Sequence, residues 1–96
     1  MNNDRRKEIS RIIEEIDSAV STAKEKLEEL QTSIESVRDE EQEYMDNMPE
    51  NLQCSERYTT AEQAVDNLDS AASSIEELIE AIDTDDLIEY LNDAKE

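Results

Sequence analysis

The side chains of this protein that could do chemistry are almost all carboxylates. Twenty-eight Asp and Glu stand against nine Lys and Arg, with a single cysteine, Cys54, and no histidine. Acid–base catalysis at neutral pH recruits an imidazole, or a carboxylate made unusual by a dry pocket. Without a histidine, Cys54 has no partner to activate it as a nucleophile, and it reads as an ordinary small residue of a connection. One thiol cannot build a zinc site or close an intrachain disulfide. The segment "DTDDLIEYLNDAKE" begins like a calcium loop, but it lacks the glycine of the sixth position and has Ala94 where a bidentate Glu should stand. Glu-x-x-His, the signature of di-iron bundles, is absent. The expectation is a protein that is not an enzyme and holds neither metal nor cofactor.

The carboxylates remain, and their distribution is uneven. Residues 1–27 carry six acids and six bases, so the whole net charge of −19 falls on residues 28–96. Asp39, Glu40, Glu43, Asp46 and Glu50 crowd the middle of the chain, and Glu56, Glu62, Asp66 and Asp69 follow. Such a surface repels nucleic acid and anionic membrane and attracts basic protein surfaces. Rows of carboxylates on a rigid rod can imitate duplex DNA, which carries a charge every ~1.7 Å of axis. Acidity for solubility alone is the plainer alternative. The basic start, "RRKEISR", is too weak against the rest to bind nucleic acid directly, and its bases serve to pair with Glu8, Glu14 and Glu15. No window approaches the ~20 apolar residues of a membrane span, and no apolar segment of a secretory signal follows the basic start. The expected location is the cytoplasm.

The elements that carry these charges follow from apolar spacing. Ile9, Ile13, Ile16, Val20, Ala23, Leu27, Leu30, Ile34 and Val37 step by 4 and 3 in alternation, and Tyr44 and Met48 continue the pattern. This is a heptad seam, with Ile13, Val20, Leu27, Ile34, Glu41 and Met48 at a and Ile9, Ile16, Ala23, Leu30, Val37 and Tyr44 at d. Tyr58, Ala61, Val65, Leu68, Ala72, Ile75, Ile79 and Ile82 repeat the rhythm, widened by Ala64, Ala71 and Leu78. The fold class is all-α. A long antiparallel helical hairpin has helices at about 4–45 and 57–82, a connection at 46–56, and a short helix at about 85–95. Asp4 is a candidate cap for the first helix, Ser55 or Thr59 for the second, and Thr84 for the third. Pro49 disfavours helix at Met48 and starts a new segment, with Leu52 tucked between the long helices. Setting Tyr44 against Tyr58 pairs Val37 with Val65, Leu30 with Ala72 and Ala23 with Ile79, each an a position against a d.

The stretch "DEEQEYMDNMPENLQCSERY", residues 39–58, resembles a run that recurs in small acidic proteins of bacteriophages and mobile elements, where a "DNMPE-LQ-SER" segment lies between two helices. The resemblance covers about a fifth of the chain and implies no particular mechanism. It implies a phage protein that acts on host machinery, in the host bacterial cytoplasm. It also marks Asn47, Met48, Pro49, Leu52, Ser55, Glu56 and Arg57 as a fixed contact surface.

The functional expectation is a binding module whose acidic helices take a basic bacterial protein, as a DNA mimic in its narrowest form. The alternative is a coiled-coil adaptor that mainly self-associates. Unequal helix lengths predict a homodimer in the form of a four-helix bundle. The return helix ends opposite Val20, which leaves Ile9, Ile12, Ile13 and Ile16 to be covered. The expected dimer contacts are these four with Ala64, Ala71, Leu78 and Leu91, within residues 9–30 and 64–91.

Overall fold

A computed structural model describes residues 1–96. Helix α1 runs Asn3–Asp46, helix α2 Glu56–Ala81 and helix α3 Asp85–Lys95, with a 3₁₀ turn at Glu50–Leu52 and no strand. The chain is a rod of 76 × 17 × 12 Å. Its radius of gyration is 22.4 Å, against about 12.5 Å for a compact chain of this length. α2 folds back along α1, and α3 lies against the other end of α1.

The caps show where local chemistry sets the ends. Asn2, rather than Asp4, caps α1, its side chain accepting from the Arg5 N–H at 2.9 Å. Ser55 caps α2 by accepting from the Tyr58 N–H. Thr84 stands at the start of α3, but its side chain makes no capping bond. Asp83 does that work, accepting from the Asp85 N–H at 2.9 Å.

The reversal between α1 and α2 is made without glycine and without a single positive φ. The Asn47 N–H still donates to Glu43 O, and the Met48 N–H to Met45 O. Pro49 then has no N–H to continue the ladder, and its extended ψ of 147° turns the chain out of the helix. The Leu52 N–H donates to Pro49 O, the Gln53 N–H to Glu50 O and the Ser55 N–H to Leu52 O, so the connection is held by its own hydrogen bonds.

The plug of the hairpin is Met45, Ala61 and Val65, with Tyr58 packed on it. Met48 is also buried. Leu52, expected between the helices, is 42% exposed. The correction has a simple cause. Met45 in the last turn of α1 and Met48 just before the proline come ahead of the turn, and their flexible chains fill the closing angle. The residue after the turn finds the space taken.

The seam is also rotated from the one the heptads suggest. Leu30, Val37 and Tyr44 at d are 43%, 52% and 44% exposed, and Ala23 is exposed as well. Lys24, Gln31, Arg38 and Met45, one position further on at e, turn towards α2 beside the a residues. The alanine-rich face of α2 leaves room for these long side chains to lie across it and reach its polar groups. Gln31 Nε2 donates to the Ala72 carbonyl at 3.3 Å, which places α1 and α2 within about two residues of the expected level.

Met45→Ala is expected to destabilise the hairpin by about 2–5 kcal/mol, the range for emptying a buried methionine site. Leu52→Asp should stay within about 0.5 kcal/mol, as an exposed substitution does. Thermal melts followed by circular dichroism check both. A Leu52→Asp melt as low as that of Met45→Ala would put Leu52 back in the core.

Candidate functional site

The sequence-predicted acidic residues do not share one face. On α2, Glu62 and Asp69 fall at e and Asp66 at b, on the flank where Arg38 meets Asp69. On α1, Asp39 and Asp46 lie at f, behind the b column, while Glu43 at c is on the outer back of the helix and Glu40 at g lies beyond the d column. Glu50 and Glu56 belong to the turn end. Three of the nine are internally engaged. Arg38 donates from Nη1 to Asp69 at 2.8 Å and from Nε to Asp39 at 3.2 Å. Those bonds, to Asp69 first, hold the Arg38 guanidinium above its ordinary value. Asp46 accepts from Gln42.

The structure gathers a different set. Glu28 and Glu35 at b of α1 lie beside Asp66, Asp69, Glu76 and Glu80 at b and e of α2. Together they form an acidic flank of two antiparallel rows, crossed in the middle by Arg38. The sequence reading missed Glu28, Glu35, Glu76 and Glu80 because it followed runs of acids along the chain. The signal that finds them is the heptad column. All six acids of α2 after Tyr58, which are Glu62, Asp66, Asp69, Glu76, Glu77 and Glu80, fall at b, e or f.

The opposite flank is the converse. From Tyr58 to Ile82, positions a, d, g and c hold no charged residue. There, Leu30, Ser33, Ile34 and Val37 of α1 and Leu68 and Ile75 of α2 line an apolar groove of about 340 Å³. Ala64 and Ala71 are half-buried along it, and Leu78 is 52% exposed.

The expected dimer residues at the N-terminal end are partly covered within the single chain. α3 lies on this end of α1, tied by Arg6 Nε to the Lys95 carbonyl at 2.8 Å and by Lys95 Nζ to Ser10 Oγ at 3.3 Å. Ile9, Ile12, Ile13 and Ile16 are half-buried, as are Ile88 and Leu91. Eleven residues suffice because α3 runs on from the end of α2 and meets α1 just where the return helix stops.

At the turn end, Tyr44, Asn47, Met48, Pro49, Leu52 and Arg57 line a shallow cleft. Five of the seven residues marked by the resemblance thus come together, while Ser55 is spent on the cap. A neighbouring cleft of about 540 Å³ is lined by Glu41, Tyr44, Glu56, Arg57, Thr60 and Ala61, and it is an open surface depression. Cys54 is exposed. No three Asp, Glu or Cys side chains converge where they could hold a metal ion, and no helix is long and apolar enough to cross a membrane.

No protein-family model matches this chain, and searches of curated proteins and of solved structures found no match either.

Of the four bases at the start of the chain, Arg11 alone forms ion pairs, and Glu14 takes no part in one. Arg11 bridges Glu8 and Glu15. The Glu8 carboxyl is held below its ordinary value of 4.5, first by its hydrogen bond from Arg11 and then by the charge of that guanidinium. A lowered folded pKa gives stability that is present above pH 4.5 and is lost only as pH falls through the folded value. Protonation of other acids meanwhile relieves the self-repulsion of a −19 chain. Between pH 7 and about 5, helicity and melting temperature should therefore hold or rise. Circular dichroism across that interval checks it, and a steady loss of helix would mean that specific carboxylate pairs dominate repulsion.

Proposed function

We propose that this protein is a non-enzymatic binding module that takes a basic protein surface on its acidic flank. The observation that carries the reading is the sorting of charge around the rod: Glu28, Glu35, Glu62, Asp66, Asp69, Glu76 and Glu80 on one side, and an uncharged strip of α2 on the other. Acidity for solubility alone has no need of such sorting. A rigid helical scaffold holds the rows in place, so a partner meets a fixed pattern of charge at little ordering cost.

DNA mimicry is the narrowest form of this reading. Five acids of the flank span α2 from 62 to 80, about 27 Å at 1.5 Å per residue, and Glu28 and Glu35 of α1 stand beside them, which makes roughly one charge every 4 Å. Duplex DNA carries one every ~1.7 Å. The density favours a basic protein surface in general over strict imitation of a duplex. The resemblance of residues 39–58 to proteins of phages and mobile elements supports a partner in the bacterial cytoplasm that belongs to the host's machinery.

The adaptor reading has its own observation. The apolar groove and its uncharged border leave one flank of the hairpin unpartnered, and pairing two hairpins into a four-helix bundle would cover it. The two readings use opposite flanks and are compatible.

Salt separates them. Binding through the acidic flank should weaken by tenfold or more between 0.05 and 0.5 M salt, whereas apolar self-association should change little. A Glu62→Gln, Asp66→Asn, Glu76→Gln variant should lose the proteins that the native chain retains from a bacterial lysate at low salt. Retention that survives both the variant and high salt would sink the acidic-flank reading.

A further inference from the structure

The uncharged flank has a pattern that says what covers it. We infer that a second copy of this chain docks there, related by a two-fold axis along the rod, so that α1 of each copy lies on α2 of the other. This deepens the self-association reading above, rests on it, and moves the interface away from the isoleucine end.

The face is its own complement. On α1, the d column presents Ala23, Leu30 and Val37, all exposed. On α2, the adjacent g column presents Leu78, Ala71 and Ala64. The Gln31 to Ala72 bond sets the levels within the hairpin to about two residues, or ~3 Å, so Ala23 lies near the level of Leu78, Leu30 of Ala71 and Val37 of Ala64. A rotation about the rod axis preserves level and exchanges the helices. Each large side chain then meets a small one: Leu78 over Ala23, Leu30 over Ala71, Val37 over Ala64 of the second copy. That is the isologous contact of a closed dimer, and the alternation of large and small is what interdigitating layers require.

Charge agrees with this arrangement. Beside the d column of α1, the g column carries Lys26, Ser33 and Glu40, with Glu29 and Glu43 behind it at c. In the docked pair this edge meets the outer edge of α2 of the second copy, which is Thr60, Asn67 and Ser74. No carboxylate is set against another, although the chain carries −19. Both acidic flanks stay outside and free.

Area agrees as well. A compact protein of 11.0 kDa exposes about 5,600 Å². This chain exposes 7180 Å². The excess is roughly 1,500 Å², and a standard interface takes about 800 Å² from each partner. Only five residues are buried in the single hairpin, so a core of ordinary size is still to be made.

The test has two parts. Light scattering at micromolar concentration should give about twice the 11.0 kDa chain mass, and a Leu30→Glu, Val37→Glu variant should give the single-chain mass. Separately, in a Cys54→Ser background, Val37→Cys and Ala64→Cys chains are co-refolded and oxidised. The mixture should form a disulfide dimer, while either variant alone should not, because like positions lie diagonally across the bundle. A single-chain mass for the native protein overturns self-association and this proposal together. A native dimer whose mixture fails to cross-link, or whose mass survives Leu30→Glu, Val37→Glu, overturns this face and leaves self-association standing.

Discussion

Two helices touch along one line, and everything else in this molecule follows from that contact. α1 meets α2 through its a residues and, beside them, Gln31, Arg38 and Met45. A heptad seam is wider than one line of contact. Once the hairpin closes with the e side turned in, the d column must face outwards. The exposure of Leu30 and Val37 is therefore the other half of the same packing event that buries Met45 and brings Gln31 to the Ala72 carbonyl.

The turn end and the α3 end hold this contact in register by different means. At the turn, Pro49 ends the hydrogen-bond ladder and the two methionines before it fill the closing angle. The absence of glycine is no obstacle, because an αR cap, an extended proline, a 3₁₀ turn and a serine cap reverse the chain with every φ negative. At the far end, the return helix stops short of the N-terminus of α1, and α3 takes over there. The Arg6 and Lys95 bonds supply two cation-to-oxygen contacts at the end of α1 whose own charges balance. Both ends are thus closed locally, which leaves the long middle as the only place where surface remains to be used.

That middle has two unlike sides because the charges are sorted by column. Surface ion pairs contribute little: the Arg38 bridge to Asp69 is exposed and of the kind worth about 0–1 kcal/mol. Its role is geometric, tying α1 to the acidic row of α2. The sorted charge matters more for association. It keeps one flank attractive to cations over its whole length and keeps the other free of the repulsion that would oppose apolar contact.

The sequence by itself determined the elements. A 3-4 apolar rhythm interrupted only by "MDNMPE" predicts two long helices and a turn to within a residue or two, since helical period and proline chemistry act locally. It also determined that the acids of α2 occupy three columns, although reading along the chain hid this. Tertiary structure alone decided which side of the seam turned inwards. The a/d and a/e faces of α1 differ by a rotation too small for apolar spacing to choose between. The choice came from how long polar side chains fit over alanines on a neighbouring helix. The same fit displaced Leu52, since two methionines and one leucine competed for one closing angle. It also half-buried Ile9, Ile12, Ile13 and Ile16, because whether an apolar patch is covered depends on where a distant segment lands, and α3 lands there.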